Sequence, residues 1–436
     1  MKKSASILTL FLVMCALVPA AVYAQAAKTA YPVYMVHGVL GWDRAFDVGS
    51  SYFGDDWGIS VADTCSFSDP HCNPYIDPEQ EIHIVQLTSL QDTYFRGNEL
   101  FDIIDRDILG QGLAALGDAA DDLPDTQIRS AIGKLPVGQR PHVNVIGHSQ
   151  GGIECRYVAR RLRLEYGYTV VKVLVTVSAP HRGSGIAGSM YALKESQPLL
   201  YSSLLWLFEE LWCGILANGY KDGKQQEGEN MLRSMAYYDL PGDDLETGMQ
   251  LFNNYFPIYD EHAQTYVNAS KYVSFMTAEK RSSMSPGISV LVELAGDIDG
   301  NVYEMDPPGC PVEDRKIDRC DTADTRELRD DDGFIPIYSQ HMGVRMHYTD
   351  NFWTDDSVEE IDVPGEVRDL DNPTPAQMGK PAESPDEPDG MLGVIESGHF
   401  QEITIPGGPL LNLNGGIGFD ELGYYSSMID YIARNE

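Results

Sequence analysis

Residues 142–152 read His142-Val143-Asn144-Val145-Ile146-Gly147-His148-Ser149-Gln150-Gly151-Gly152, and the fold is decided here. Val143 to Ile146 is a short β-branched run of the kind that forms a buried strand. It breaks into Gly147-His148-Ser149-Gln150-Gly151, and an amphipathic helical pattern follows at once. Small residues two before and two after the serine let the backbone turn sharply from strand to helix. That turn lifts the hydroxyl out of the sheet and aims the Gln150 N–H at whatever the hydroxyl attacks. A Gly-rich turn with an incidental serine requires neither the strand before nor the helix after. Ser149 is therefore the candidate nucleophile.

Composition sets the bounds around this stretch. Lys2 and Lys3 precede an apolar run from Ile7 to Val18, and Val22-Tyr23-Ala24 offers a small-residue cleavage site before Gln25. Residues 1–24 are expected to be a cleaved signal peptide, giving a secreted or periplasmic protein. Met14 before Cys15 is larger than a lipoprotein site calls for. Residues 25–436 suit one elaborated α/β domain, and 43% apolar residues supply a core. A net charge of −35, from 31 basic against 66 acidic residues, disfavours nucleic acid and anionic membrane surfaces as partners.

Seven cysteines become six after signal removal, and export permits disulfides. Cys65 with Cys72, and Cys310 with Cys320, are candidate local staples worth roughly 2.5 kcal/mol each on a loop-entropy model. Cys155, on the helix after Ser149, reads as a buried free thiol, and Cys213 is left open. No C-x-x-C spacing for metal or redox work is present.

Along the chain, Tyr31 to Val36 is an expected strand ending in His37-Gly38-Val39-Leu40-Gly41. A strand followed by His-Gly is where the second half of an oxyanion hole would lie. Val39 N–H would join Gln150 N–H in binding the developing negative oxygen, each donor being worth roughly 3 kcal/mol. Glu81 to Thr88 reads as a strand, and Phe95 to Leu109 as a helix with Leu100, Ile103, Ile104 and Ile108 on its apolar face. Thr169 to Val177 is almost continuously apolar, the pattern of a strand covered on both faces. It leads into Ser178-Ala179-Pro180-His181-Arg182-Gly183-Ser184, where His181 reads as structural. Lys271 to Thr277 returns to strand character.

Taken together and in order, Tyr31-Pro32 through Trp42-Asp43, Ser89-Leu90-Gln91-Asp92-Thr93 with Arg96-Gly97, Val143 to Gly152, and Ser178 to Ser184 resemble the foldase-dependent bacterial triacylglycerol lipases (family I), within the α/β-hydrolase superfamily. The resemblance covers roughly residues 31–190. It implies a mostly parallel central sheet flanked by helices, a helical lid at about 185–235, a periplasmic foldase as partner, and a structural calcium.

Leu199 to Leu216 is rich in Leu, Trp and Phe but interrupted by Glu209-Glu210. As a membrane span it fails: two central acids cost roughly 5–6 kcal/mol, and about nine strong apolar residues return only ~4. An amphipathic helix covering a pocket and opening onto lipid fits the pattern, and the resembled family has its lid here. Met305-Asp306-Pro307 resembles the family's segment with one calcium ligand, but Gln401 stands where a second ligand, an aspartate, is expected, and Ile405 replaces a later glutamine. No cofactor is expected for catalysis, and no metal ligand set is assigned.

Arg329-Asp330-Asp331-Asp332-Gly333-Phe334 places an Asp-Gly turn before an apolar segment, which suits the acid of a triad. The resemblance selects Asp332, with Asp331 as fallback. Residues 349–390 are dominated by Asp, Glu and Pro and read as an acidic, Pro-rich surface insertion. Gly398-His399-Phe400 follows, and the order Ser149, Asp332, His399 is that of an α/β-hydrolase triad. His347 is the runner-up base, in a predicted strand.

The sequence thus reads as an exported serine hydrolase of α/β class that cleaves carboxylic esters of lipids through an acyl-enzyme. The rivals are an esterase or acyltransferase on soluble esters, and a catalytically silent protein of the same fold that binds a hydrophobic ligand or a partner.

Overall fold

The computed structural model describes residues 27–39, 41, 44–45, 50–53, 80–88, 90–120, 123–181, 183–184, 187, 197–207, 225–235, 249, 252, 255–256, 259–260, 265–266, 268–278, 335, 337–340, 391–396 and 421–436. Among them, six strands form one parallel sheet: β1 (Val33–Val36), β2 (Ile82–Val85), β3 (Val143–His148), β4 (Val171–Val177), β5 (Ala269–Ala278) and β6 (Met391–Glu396). Their order across the sheet is β6-β5-β4-β3-β1-β2. From β1 the chain steps outward to β2, and from β3 it winds the other way. β1 and β3 therefore flank a topological switch point, where the carboxyl ends of neighbouring strands open a crevice.

Every residue of β1 and β3 is buried. A parallel sheet buried on both faces needs apolar residues at both parities, which accounts for the unbroken hydrophobic runs. On one face α1 (Thr93–Leu116), α2 (Asp125–Ile132) and α3 (Gln150–Tyr166) pack through Leu100, Ile104 and Ile108 of α1, Ile128 and Ile132 of α2, and Cys155, Val158 and Leu162 of α3. Each such side chain contributes roughly 1.5–3 kcal/mol on full burial. Tyr272 of β5 belongs to this layer, whereas Phe275, on the opposite parity, meets Tyr424 of α6 (Glu421–Asn435) edge-on at 5.8 Å. The sheet is thus covered on both sides.

Local chemistry sets the helix ends. Asp92 caps α1 by accepting from Tyr94 N and Phe95 N, so the helix begins earlier than its apolar periodicity predicts. Gly167, at φ 73°, ends α3 in the left-handed region. Strands β1 to β5 fall where the sequence places them. Strand β6 was not anticipated. It pairs with β5 from Met391↔Ser274 to Glu396↔Ala278 with one irregularity, so its carboxyl end points the same way as that of β3.

The parallel sheet, its strand order and the strand–serine–helix turn at β3 are those of the α/β-hydrolase fold. Residues 1–24, the insertion at 349–390, and Cys65, Cys72, Cys213, Cys310 and Cys320 lie outside the described residues. Cys155 is a buried free thiol, and burial pushes its pKa up.

Candidate active site

Ser149 sits between β3 and α3 with φ 53° and ψ −130°, one of three non-glycine residues at positive φ among those described. A side chain in that region carries strain of order 1–3 kcal/mol, so its surroundings must hold it there. Ser149 N donates to Val177 O at 2.8 Å, and Gly152 N donates back to Ser149 O at 3.0 Å. Small neighbours make the turn sterically feasible. A Cβ on Gly147 would lie 2.5 Å from the Gly151 carbonyl group, and one on Gly151 would lie 2.3 Å from Val36 O. On Gly152 it would meet Ala179 Cβ at 2.5 Å. Each glycine marks a place where backbone or a neighbouring side chain fills the space a side chain would need.

The His37-Gly38-Val39 segment leaves β1 beside this turn, because Val36 pairs with Gly147 across the sheet. A Cβ on Gly38 would stand 2.6 Å from Ser149 Cβ, so only glycine allows this approach. His37 organises the segment. Leu87 N donates to its Nε2 at 3.0 Å, which leaves the ring hydrogen on Nδ1, 2.8 Å from the Gly38 carbonyl oxygen that accepts it. Gly41 N also donates to that oxygen, at 3.2 Å. In a trans peptide the C=O and the following N–H point in opposite directions, so this anchoring turns Val39 N–H away from His37. Burial, then the nearby Arg96 cation, lowers the His37 pKa to about 3, and the ring stays neutral.

Beneath the segment lies a buried ion pair. Arg96 Nε and Nη2 donate to the two Glu154 oxygens at 2.5 and 3.0 Å, and both side chains are fully buried. Its remaining hydrogens hold two loops: Nη2 donates to His37 O at 2.6 Å and Nη1 to Thr88 O at 2.9 Å. Burial pushes the Glu154 carboxyl up while Arg96 opposes it. Sequence reasoning left the function of both residues unread, because charged residues on an amphipathic helix normally mark its solvated face.

Gln150 is fully buried, and its Nε2 donates to Gln91 O at 3.0 Å and to Thr93 Oγ1 at 3.4 Å. Thr93 N in turn donates to Ser234 Oγ on α5 (Gln225–Met235) at 3.3 Å. Val39 packs against a cluster made by Leu90, Ala187, Tyr201 of α4 (Pro198–Leu207), and Met231, Leu232 and Met235 of α5. Two helices within residues 185–235 therefore pack against the Val39 loop and the start of α1. Leu199 on α4 is 85% exposed. No helix among the described residues is long and apolar enough to cross a membrane.

His181 is structural in its surroundings: Nδ1 lies 3.3 Å from an Arg156 nitrogen and Nε2 3.0 Å from Thr176 Oγ1. Asp332, Asp331, His399 and His347 lie outside the described residues, as do Asp306, Gln401 and Ile405. The segments that flank the predicted acid and base are described. Ser339 Oγ donates to Gly183 O at 2.5 Å, and Gln340 Oε1 accepts from Thr277 N at 2.8 Å, so residues 337–340 dock at the carboxyl ends of β4 and β5. Strand β6 ends at Glu396, three positions before His399.

Residues 106–289 match the family described as palmitoyl protein thioesterase. A triacylglycerol lipase of Burkholderia plantarii is 28% identical over 207 residues, 46% of this chain and 44% of that protein. The chain therefore spans less than half of that relative's length. A triacylglycerol lipase of Pseudomonas fragi is 23% identical over 335 residues, 74% of this chain and 87% of that protein. The crystal structure of Staphylococcus hyicus lipase aligns with 95% of this chain and 98% of its own at 14% identity and a TM-score of 0.45. The strand order and the serine turn described above are those of an α/β-hydrolase fold, and the chain is similar in sequence to bacterial triacylglycerol lipases.

Proposed function

We propose that the protein is an exported serine hydrolase that cleaves carboxylic esters of lipids, triacylglycerols among them. The single observation that carries this reading is Ser149 held at positive φ between a buried strand and a helix, with the His37–Val39 loop against its Cβ. The surrounding glycines leave the room that this turn needs, and the turn sets the serine at the carboxyl end of β3 beside that loop.

In the proposed reaction Ser149 Oγ attacks the ester carbonyl carbon while His399 takes the hydroxyl proton, and Asp332 orients His399. Negative charge moving onto the carbonyl oxygen is met by the N–H groups of Val39 and Gln150. Collapse expels the alcohol, which receives the proton from His399, and leaves an acyl group on Ser149. Water then attacks the acyl-enzyme, His399 again relaying the proton, and releases the carboxylic acid. The anchoring of the Gly38 carbonyl by His37 supports Val39 as a donor, since it faces that N–H away from the imidazole. The direction of β6 supports His399, because a parallel strand delivers the chain to the same edge of the sheet as Ser149.

The apolar cluster on Val39 supports a lipid acyl chain as substrate, and a cleaved signal peptide and a periplasmic foldase belong to the same proposal. A long-chain acyl thioester is the second reading, favoured by the match over residues 106–289 and served by the same acyl-enzyme. The deciding measurement is turnover of p-nitrophenyl esters, tributyrin and a palmitoyl thioester by the parent and by Ser149→Ala. Loss of a triad nucleophile costs on the order of a millionfold in turnover, and an unchanged rate would end the hydrolase reading.

A further inference from the structure

We propose that Tyr52 is a positioning residue that ties the oxyanion loop to the nucleophile turn, its hydroxyl holding Gly38 N–H on one side and His148 Nδ1 on the other. This rests on the ester-hydrolase reading of Ser149. Tyr52 is 2% exposed, and its oxygen accepts from Gly38 N at 3.2 Å while lying 2.8 Å from His148 Nδ1. A phenolic oxygen has two lone pairs and one hydrogen, so it can accept from Gly38 N–H and bond the imidazole nitrogen at once in either tautomer. One hydroxyl thus joins the loop after β1 to the residue immediately before the serine.

The packing makes this joint tight. The position a Gly38 Cβ would take is 2.6 Å from Ser149 Cβ, 2.9 Å from Tyr52 Oη and 3.2 Å from His148 O. Nucleophile, loop and hydroxyl converge on one point. The ring is held in turn: Tyr52 meets His148 at 5.6 Å and Phe53 at 5.0 Å, both edge-on, and Phe53 meets Tyr425 of α6 at 5.0 Å. The hydroxyl is therefore mounted on an aromatic wall that runs to the C-terminal helix.

Its consequence concerns the peptide group that presents Val39 N–H. Gly38 carries that peptide, and glycine has the widest backbone freedom of any residue. His37 fixes the Gly38 carbonyl, and Tyr52 fixes the Gly38 N–H. With both ends anchored, the rotations that would swing Val39 N–H off the developing oxyanion are suppressed. Tyr52 acts through Gly38 and His148 and need not touch substrate to do so.

The test compares the parent, Tyr52→Phe, His148→Leu, the double variant and Ser149→Ala as full chains, each taken as the folded monomeric fraction from gel filtration. Kinetics are measured with p-nitrophenyl butyrate, and Ser149 labelling is timed with a fluorophosphonate. Tyr52→Phe keeps the ring contacts and removes only the hydroxyl. Its kcat is expected to fall about ten- to hundredfold, the scale of a slight misplacement of a reacting group, with KM held within about twofold and labelling slowed in parallel. His148→Leu is expected to lose as much, and the double variant no more than either single change, because all three break one link. A Tyr52→Phe enzyme with parental kcat, a change confined to KM, or losses that multiply in the double variant would each overturn the assignment. If Ser149→Ala retained parental turnover, the hydrolase reading itself would fall. If Ser149→Ala were inactive and Tyr52→Phe unimpaired, only the role given to Tyr52 would.

Discussion

Arg96 on α1 and Glu154 on α3 form a two-pronged ion pair with neither side chain exposed, and the same guanidinium grips the carbonyls of His37 and Thr88. Desolvating two charges is costly, so such a pair adds little net stability. Removing one partner, however, leaves the other buried and uncompensated. Arg96→Met is expected to cost about 3–5 kcal/mol in urea denaturation, and Arg96→Met/Glu154→Leu to recover part of that loss. Should the double variant prove less stable than Arg96→Met, this account of the pair is wrong.

The glycines of the serine turn and those of the periphery should behave oppositely. Gly151→Ala drives a methyl group to 2.3 Å from Val36 O and 2.7 Å from His37 O, both backbone atoms that cannot swing aside. It is expected to destabilise by several kcal/mol, of order 3, and to abolish ester turnover. Gly110 lies within α1 with nothing within 4 Å of its would-be Cβ, so Gly110→Ala should stabilise by about 0.5–1 kcal/mol. Thermal denaturation of the two variants side by side checks both signs.

Strain at Ser149 makes a separate prediction about stability. At φ 53° and ψ −130° glycine is at ease where alanine is not. Ser149→Gly should be more stable than Ser149→Ala by about 1 kcal/mol, with both inactive. Equal melting temperatures for the two would mean that the turn is unstrained.

Acid lability follows from His37. Its folded pKa, about 3, lies below the ordinary value of 6.5, chiefly through burial. The unfolded chain therefore binds the proton more readily, and stability is gained as pH rises between these values. The contribution is present above pH 6.5 and lost as pH falls toward 3, a span worth on the order of 5 kcal/mol. His142, lowered to about 4 by burial and then by Lys172, acts in the same direction. Replacing His37→Gln should flatten the stability profile over this interval, as measured by urea midpoints at successive pH values.

Acid and base in the proposed triad can be separated from their neighbours by exchange. His399→Ala and Asp332→Asn are expected to lower kcat by about four orders of magnitude or more, while His347→Ala and Asp331→Asn leave it near the parent value. If His347→Ala is the inactive one, the base has been placed on the wrong loop.

Local sequence was enough for the parts whose physics is local. The β-branched run, the glycines around Ser149 and the continuous apolar stretch at Thr169–Val177 name strand, turn and covered sheet, because backbone sterics and burial pattern act over a few residues. Strand β6 escaped notice since a six-residue segment beside a Pro-rich acidic stretch acquires its identity only by pairing with β5. Helix α6 likewise becomes legible when Tyr424 is seen against Phe275.

What tertiary structure alone decided is the support of the site. Arg96 and Glu154 are separated by 58 positions, and Tyr52 and His148 by 96. Nothing in either neighbourhood of the sequence marks these residues as partners. Hydrogen bonds and ion pairs are satisfied through space, and a buried charge or hydroxyl is stable only opposite its complement, so the choice of partner is made when the sheet brings β1 and β3 side by side. The reading of Ser149 as a nucleophile comes from the residues beside it, whereas the groups that hold the His37–Val39 loop against it belong to distant segments that only folding joins.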